Sequence, residues 1–130
     1  MSDRQRISSG GPWEASAGYS RAIVVGDMCW VAGTTDAGPD GRSRHPWDVA
    51  AQARAIFEII EAALVEAGFA FEDIVRIRMF ITDISRADEL MAVQGERFRE
   101  IRPAATLVEV SALLDSTLLV EIEADARRGS

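Results

Sequence analysis

The sequence predicts an α+β fold in which two helices cover one face of a five-stranded sheet. Apolar and polar residues alternate in five short segments, which is the pattern of half-buried strands, and apolar residues recur at helical spacing in two longer segments. The chain has 130 residues, which is enough for one hydrophobic core and too few for two. We therefore expect residues 1–130 to form a single domain with the order β-β-α-β-α-β-β.

The first two strands are predicted at 22–25 and 28–32, because the Gly26-Asp27 pair between them suits a tight hairpin turn. The Gly- and Ser-rich segment before them predicts an irregular arm. A polar loop, 37–46, follows the hairpin and contains His45, which we expect to be a surface residue.

The first helix is predicted from the N-cap Asp48 to a stop at Gly68, and the second from about residue 86 to 99. A strand over 74–82 separates the two helices. Strands over 105–110 and 117–126 follow, and we expect these two to form the last hairpin.

The alternation also predicts which side of the sheet the helices cover. That side carries Val75, Ile77, Met79, Ile81, Val108, Val110, Leu118, Val120, Ile122 and Ala124. The other side places Phe80, Leu107 and Leu119 among charged residues. Apolar groups on an uncovered sheet indicate a partner surface, so we expect burial against other copies of the chain. The alternative is a solvated face with cross-strand ion pairs.

Composition excludes several kinds of site. One cysteine and one histidine are too few for a Cys/His zinc site, and we expect no metal and no cofactor. All fourteen basic residues are arginine, which excludes a lysine Schiff base and a P-loop. The net charge of −7 makes nucleic-acid binding an unfavoured hypothesis. No apolar run is long enough to span a bilayer and no signal peptide is evident, so we expect a cytoplasmic protein.

Nine segments, spread in order over nearly the whole chain, resemble the Rid (YjgF) family. They are Gly18-Tyr19-Ser20-Arg21-Ala22, Val31-Ala32-Gly33-Thr34, Gln52, Ala67-Gly68, Asp73-Ile74-Val75, Phe80-Ile81-Thr82-Asp83, Arg102-Pro103-Ala104, Val108-Glu109-Val110 and Val120-Glu121-Ile122-Glu123-Ala124. The resemblance implies a chorismate-mutase-like fold, a homotrimer and small-molecule clefts between subunits. The family's archetypes hydrolyse imines derived from enamines, and some members have been described as endoribonucleases or translation inhibitors.

The resemblance also implies site residues. Tyr19 matches the family's site tyrosine, Glu121 its water-positioning glutamate, and Gly33 and Thr34 the small residues that line the cleft. Ala105 stands where the archetypes have a carboxylate-binding arginine. Two further cleft positions also differ, since Leu107 replaces a cysteine and Met91 an asparagine.

These differences lead to three hypotheses. The first is a Rid-like hydrolase or deaminase acting on a small enamine or imine, with altered specificity. The second is a non-catalytic metabolite-binding protein, and the third, less favoured, is an endoribonuclease or translation inhibitor. Arg78, and more weakly Arg102, are candidates to replace the missing arginine, although Arg78 is expected to pair with Glu109 or Glu121. Glu121 is either a general base or an ion-pair partner of Arg76 or Arg78, and Cys29 is expected to be a core residue.

Overall fold

The sheet has six strands, in the order β1-β2-β3-β6-β4-β5, in a computed structural model that describes residues 4–129. The strands are β1 Gln5–Ile7, β2 Ala22–Val25, β3 Met28–Thr34, β4 Ile74–Ile81, β5 Ala104–Glu109 and β6 Val120–Arg127. The helices are α1 Glu14–Ala17, α2 Val49–Glu66 and α3 Ala87–Phe98, with 3₁₀ turns at Phe71–Asp73 and Ile84–Arg86. All neighbouring strands are antiparallel except β4 and β5. The α+β class and the mixed sheet are therefore confirmed.

The long helix α2 begins and ends where the sequence predicts. The carboxylate of Asp48 accepts a hydrogen bond of 3.0 Å from the amide of Ala51, which satisfies a free N–H of the first turn. Gly68, with φ of +85°, follows the helix in a conformation that favours glycine. The buried face of α2 includes Ile56 and Phe57 and packs against the sheet and α3. None of the helices within residues 4–129 has the length and apolar character needed to cross a bilayer.

The predicted last hairpin is wrong. Strand β6 lies between β3 and β4, whereas β5 runs parallel to β4 at the sheet edge. The physical reason is burial, because alternate residues of β6, among them Ile122 and Ala124, are fully enclosed by the core. A central position provides that enclosure, and the intervening segment 110–119 is long enough to let the chain cross over β4.

The predicted faces also need correction at four apolar positions. A register shift between Ile74 and Arg76 takes Val75 out of the alternation, and its side chain is exposed. In β5 the residues that face the core and those that face away from it are the reverse of the predicted alternation. Leu107 lies opposite Met79 and packs against the core, and Val108 lies opposite Phe80 and is exposed.

Leu119 was also expected on the open face. It precedes β6 and is buried in the core instead. The apolar residues of the open face therefore include Phe80 and Val108. They also include Trp30 of β3, which lies opposite the open-face residue Asp125, and Ile23 of β2, which lies opposite Trp30.

The N-terminal arm contains more structure than the prediction of an irregular arm allowed. Residues 5–7 form β1, which pairs with β2 and places Ile7 in the core with 1% of its surface exposed. Helix α1 follows and ends at Gly18, whose φ of +77° turns the chain back toward the sheet. This turn delivers Tyr19 and Arg21 to the start of β2.

Candidate functional site

The candidate site lies where β3 and β6 run side by side and centres on Gly33 and Glu121. A Cβ added to Gly33 would lie 3.1 Å from Cδ of Glu121 and closer still to Oε2. The missing side chain at residue 33 is thus what leaves room for the carboxyl group. Glu121 is half-buried and lies opposite Phe80 of β4 rather than opposite an arginine. Among the described residues it makes no ion pair, which leaves its carboxylate available.

The electrostatic surroundings of Glu121 favour its protonated form relative to an exposed glutamate. Burial raises the pKa of the carboxyl group, repulsion by Glu123 raises it further, and Arg21 opposes both effects. A carboxylate whose pKa is raised toward neutrality is a better proton acceptor than an exposed one. A carboxyl group in these surroundings can accept a proton from water.

Arg21 reaches the same place from the start of β2. Its Nη1 donates a hydrogen bond of 2.9 Å to Oγ1 of Thr34, and that hydroxyl donates one of 2.8 Å to the carbonyl of Ala32. Burial lowers the pKa of Arg21, while the nearby Tyr19, Glu14 and Glu121 raise it. Thr34 itself is fully buried, so its hydroxyl holds one end of the Arg21 guanidinium at a buried position.

Tyr19, Arg21, Gly33, Thr34 and Glu121 are thus brought together by one chain. Tyr19 is 44% exposed, which leaves its phenol accessible at the rim of this cluster. A groove of about 440 Å³ on the open sheet face is lined in part by Ser20 and Ala32, which are next in the sequence to Tyr19, Arg21 and Gly33. The five cluster residues are not themselves part of its lining.

Arg78 also lines this groove but has other partners. Its Nη1 lies 3.1 Å from Glu123 and 3.7 Å from Asp125. The expected partners Glu109 and Glu121 are wrong, because the β4–β6 register sets Arg78 opposite Glu123. Glu109 instead accepts a hydrogen bond from the amide of Ile84.

The other predicted cleft residues do not join this cluster within one chain. Ala105 and Leu107 belong to β5, which β4 separates from β6, and two strand spacings amount to about 10 Å. Both residues are on the side of the sheet opposite to Glu121. Met91 is 48% exposed on α3. Arg102, just before β5, donates to the carbonyl of Arg99. Ala105, Leu107 and Met91 reach Glu121 only if a second copy supplies them.

Sequence reasoning missed two arrangements. The first is Arg21, which lies in the segment Gly18-Tyr19-Ser20-Arg21-Ala22. Its side chain is positioned by a hydrogen bond to Thr34, which is thirteen residues away in the sequence. The second is Asp36, whose Oδ2 accepts from the Ser43 hydroxyl at 2.9 Å and lies 3.1 Å from Nδ1 of His45. Asp36 is completely buried, and its contacts with Ser43 and His45 connect the two ends of the loop that follows β3. In residues 4–129, no three His, Cys, Asp or Glu side chains are grouped so as to hold a metal ion.

Comparison with known proteins places this geometry in a family. The model of a family described as Endoribonuclease L-PSP matches residues 11–128. A RutC family protein of Pyrococcus abyssi is 35% identical over 108 residues, covering 83% of this chain and 84% of the relative. The protein is a member of the YjgF/Rid family.

Solved structures of the YjgF/Rid family agree with this chain over nearly its whole length. Rv2704 from Mycobacterium tuberculosis, a member of the YjgF/YER057c/UK114 family, is 45% identical with a TM-score of 0.88, covering 97% of this chain and 100% of that one. RidA from an Antarctic Psychrobacter is 29% identical with a TM-score of 0.78, covering 95% and 94% of the two chains.

Proposed function

We propose that this YjgF/Rid protein hydrolyses the C=N bond of a small imine, formed directly or from an enamine, and releases ammonia. The observation that carries the proposal is the carboxyl group of Glu121, which occupies the space beside Gly33, has a raised pKa and makes no ion pair among the described residues. Water is a poor nucleophile at neutral pH unless a base accepts its proton. The chain has no lysine, and its single histidine is held by Asp36.

The reaction proceeds in three steps. Glu121 takes a proton from water while the water oxygen bonds to the carbon of the protonated imine, and the C=N electron pair moves to nitrogen to give a neutral carbinolamine. Protonated Glu121 then returns its proton to this nitrogen. The ionised carboxylate next takes the hydroxyl proton as the C=O bond forms, the C–N bond breaks and ammonia leaves. Tyr19, whose phenol is accessible, is proposed to donate a hydrogen bond to the substrate.

Substrate choice should differ from that of the archetypes because Ala105 provides neither charge nor donor. An arginine fixes a carboxylate in position and orientation through paired hydrogen bonds. A substrate of this protein must therefore be anchored elsewhere. The apolar Leu107 and Met91 are proposed to line the cleft in place of polar residues.

The proposal includes a homotrimer in which the open sheet face is buried between subunits. Phe80, Val108 and Trp30 on this face support the trimer. Aromatic and aliphatic side chains that are exposed together on a sheet face usually mark a surface that binds a partner. In the proposed assembly, Ala105 and Leu107 approach Glu121 of another copy at the sheet edge formed by β5 and not through the open face. Sedimentation equilibrium at micromolar concentration tests it, and a monomer would contradict it.

The decisive experiment compares wild type with Glu121→Gln on imines generated in situ from several amino acids and their neutral amides. Glutamine keeps the shape and removes the basic oxygen, so turnover should fall by about 10²–10⁴-fold. Glu58→Gln, which changes an exposed glutamate on α2, is the matched control and should keep full activity.

Two results would favour the competing hypotheses. Saturable binding of the imine-derived ketone without ammonia release by wild type would indicate a metabolite-binding protein. Cleavage of RNA that survives Glu121→Gln would point to the endoribonuclease hypothesis and to another part of the chain.

A further inference from the structure

The pairing of β3 with β6 is irregular at Gly33. The register shifts between Val31 and Thr34, so that β3 has one residue more than β6 in this stretch. Such a β-bulge bends its strand and interrupts the ladder of hydrogen bonds. The ladder therefore does not by itself fix how close Gly33 lies to Glu121, although the room for the carboxyl group depends on that separation.

Just beyond the bulge, one buried hydrogen-bond network joins the end of β3 to the start of β6. Asp36 follows β3 by two residues and is completely buried. Its Oδ2 accepts from the hydroxyl of Ser43 at 2.9 Å and from the amide of His45 at 3.1 Å. The amide of Ser43 donates at 2.8 Å to Oγ1 of Thr117, which is also completely buried and precedes β6 by three residues. Ser43 is thus the link between the two strands.

The carboxylate of Asp36 is an expensive group for this position. Its Oδ1 is buried and has no hydrogen-bond partner among residues 4–129, and burying an unpaired polar atom is unfavourable. The cost is offset at Oδ2, where the donors of Ser43 and His45 converge. Hydrogen bonds that a carboxylate accepts are stronger than those between neutral groups. Asp36 therefore holds Ser43 more firmly than a neutral side chain would.

We propose that Asp36 and Ser43 are positioning residues for Glu121. The bulge allows β3 and β6 to separate beside Gly33, and the network through Ser43 holds them at the observed distance. When this link is lost, the carboxyl group of Glu121 is free to turn away from Gly33 into solvent. The inference rests on the proposed function for the use of Glu121, and deepens it by identifying what keeps the base in place.

Helix α2 supports the same region independently through Gln52. Its Nε2 donates to the carbonyls of His45 and Thr117, and its Oε1 accepts from the amide of Leu119. None of these bonds involves the side chain of Ser43. They remain when the link through Ser43 is removed, so that the fold should persist while the spacing of β3 and β6 changes.

The test follows the carboxyl group of Glu121 itself and so does not need turnover. Its ¹³C NMR signal, identified by its absence from Glu121→Gln, is titrated against pH in wild type and in Ser43→Ala. Burial is the largest cause of the raised pKa of Glu121, so release into solvent should move the midpoint to lower pH. Ser43→Ala changes no charge, and Glu123 and Arg21, which also act on Glu121, are still present.

Ser85→Ala is the matched control, because it removes an exposed serine hydroxyl that donates to Asp83 outside this network. It should leave the midpoint unchanged. Thr117→Val breaks the same link from the side of β6 and decides the question if Ser43→Ala does not fold. Thr117→Ser keeps the hydroxyl that accepts from Ser43 and should behave as wild type.

Turnover gives a second measurement that general destabilisation would not reproduce. A displaced base should lower kcat by about tenfold to 10²-fold with little change in KM. In the Glu121→Gln background, Ser43→Ala should cause no further loss, because the base whose position it controls is already absent. An equal loss in both backgrounds would contradict a positioning role.

The assignment is overturned if folded Ser43→Ala and Thr117→Val proteins keep the wild-type midpoint or move it to higher pH. Failure of the proposed function gives a different result. If the midpoint moves to lower pH but wild type hydrolyses no imine, the network still positions Glu121 and the protein is a binder. If imines are hydrolysed and both variants keep the wild-type midpoint and kcat, the hydrolase stands and this assignment fails.

Discussion

The carboxyl group of Glu121 occupies the space that a side chain on residue 33 would fill. The ideal Cβ position of Gly33 is 3.1 Å from Cδ of Glu121, which is tighter than ordinary contact. The φ angle of Gly33 is not positive, so its backbone does not require glycine. Glycine is needed here for the space that it leaves beside β6.

Gly33→Ala should therefore fold and lose activity. The clash involves the end of a flexible side chain, so Glu121 can rotate away at little cost, but its oxygens then leave the proposed water position. We expect turnover to fall by about 10²-fold, toward the loss caused by removing a general base. Gly95→Ala in α3 is the control, because its added Cβ meets nothing within 4 Å. That variant should keep its activity and gain up to about 1 kcal/mol of stability in urea unfolding. Full activity of Gly33→Ala would contradict the role of this space.

The acid limb of the pH–rate profile should respond in opposite directions to two neighbouring charges. The proposed mechanism requires ionised Glu121, and burial and Glu123 raise its pKa while Arg21 lowers it. The wild-type limb in kcat/KM should thus lie above the ordinary glutamate value of 4.5. With a neutral imine as substrate, Arg21→Gln should move the limb to higher pH, and Glu123→Gln should move it to lower pH. Movement of both limbs in the same direction would show that another group controls the profile.

The sequence predicts what is local and misses what depends on distant partners. Helix α2 is predictable because Asp48 and an apolar stripe at helical spacing lie in one continuous segment. The pairing of β6 between β3 and β4 is not, because alternation identifies a strand but not its neighbours. Arg21 escaped notice for the same reason. The fold, not the sequence spacing, brings Arg21 into contact with Thr34 and near Glu121.

Cys29 should be unreactive in the folded protein. It is fully buried, and burial raises the pKa of its thiol to about 11. At pH 8 only about 0.1% of such a thiol is ionised, and the thiolate is the reactive form. The rate of labelling by iodoacetamide, measured by mass spectrometry, should be at least about 100-fold slower in buffer than in urea. Equal rates in the two conditions would show that β3 opens readily.

Gln52 should be the side chain of α2 whose loss costs most stability per atom removed. It is completely buried, and its Nε2 donates to the carbonyls of His45 and Thr117 while its Oε1 accepts from the amide of Leu119. Gln52→Leu fills the volume but leaves the carbonyl of Thr117 and the amide of Leu119 without partners, whereas the carbonyl of His45 keeps the hydrogen bond from the amide of Asp48. Each such group costs about 1–3 kcal/mol, so we expect the free energy of unfolding in urea to fall by about 2–5 kcal/mol, allowing for relaxation.

Arg54→Gln, on the exposed side of the same helix, is the matched control and should change that free energy by less than about 1 kcal/mol. Turnover per folded molecule is a second measurement, which shows whether Gln52 only stabilises the fold or also helps to align Glu121. Leu119 is two residues before Glu121, so loss of its hydrogen bond loosens the entry to β6. Folded Gln52→Leu protein should therefore also turn over substrate more slowly than wild type at a temperature where both are folded. If stability falls while turnover per folded molecule is unchanged, Gln52 supports the loop and β6 without aligning Glu121.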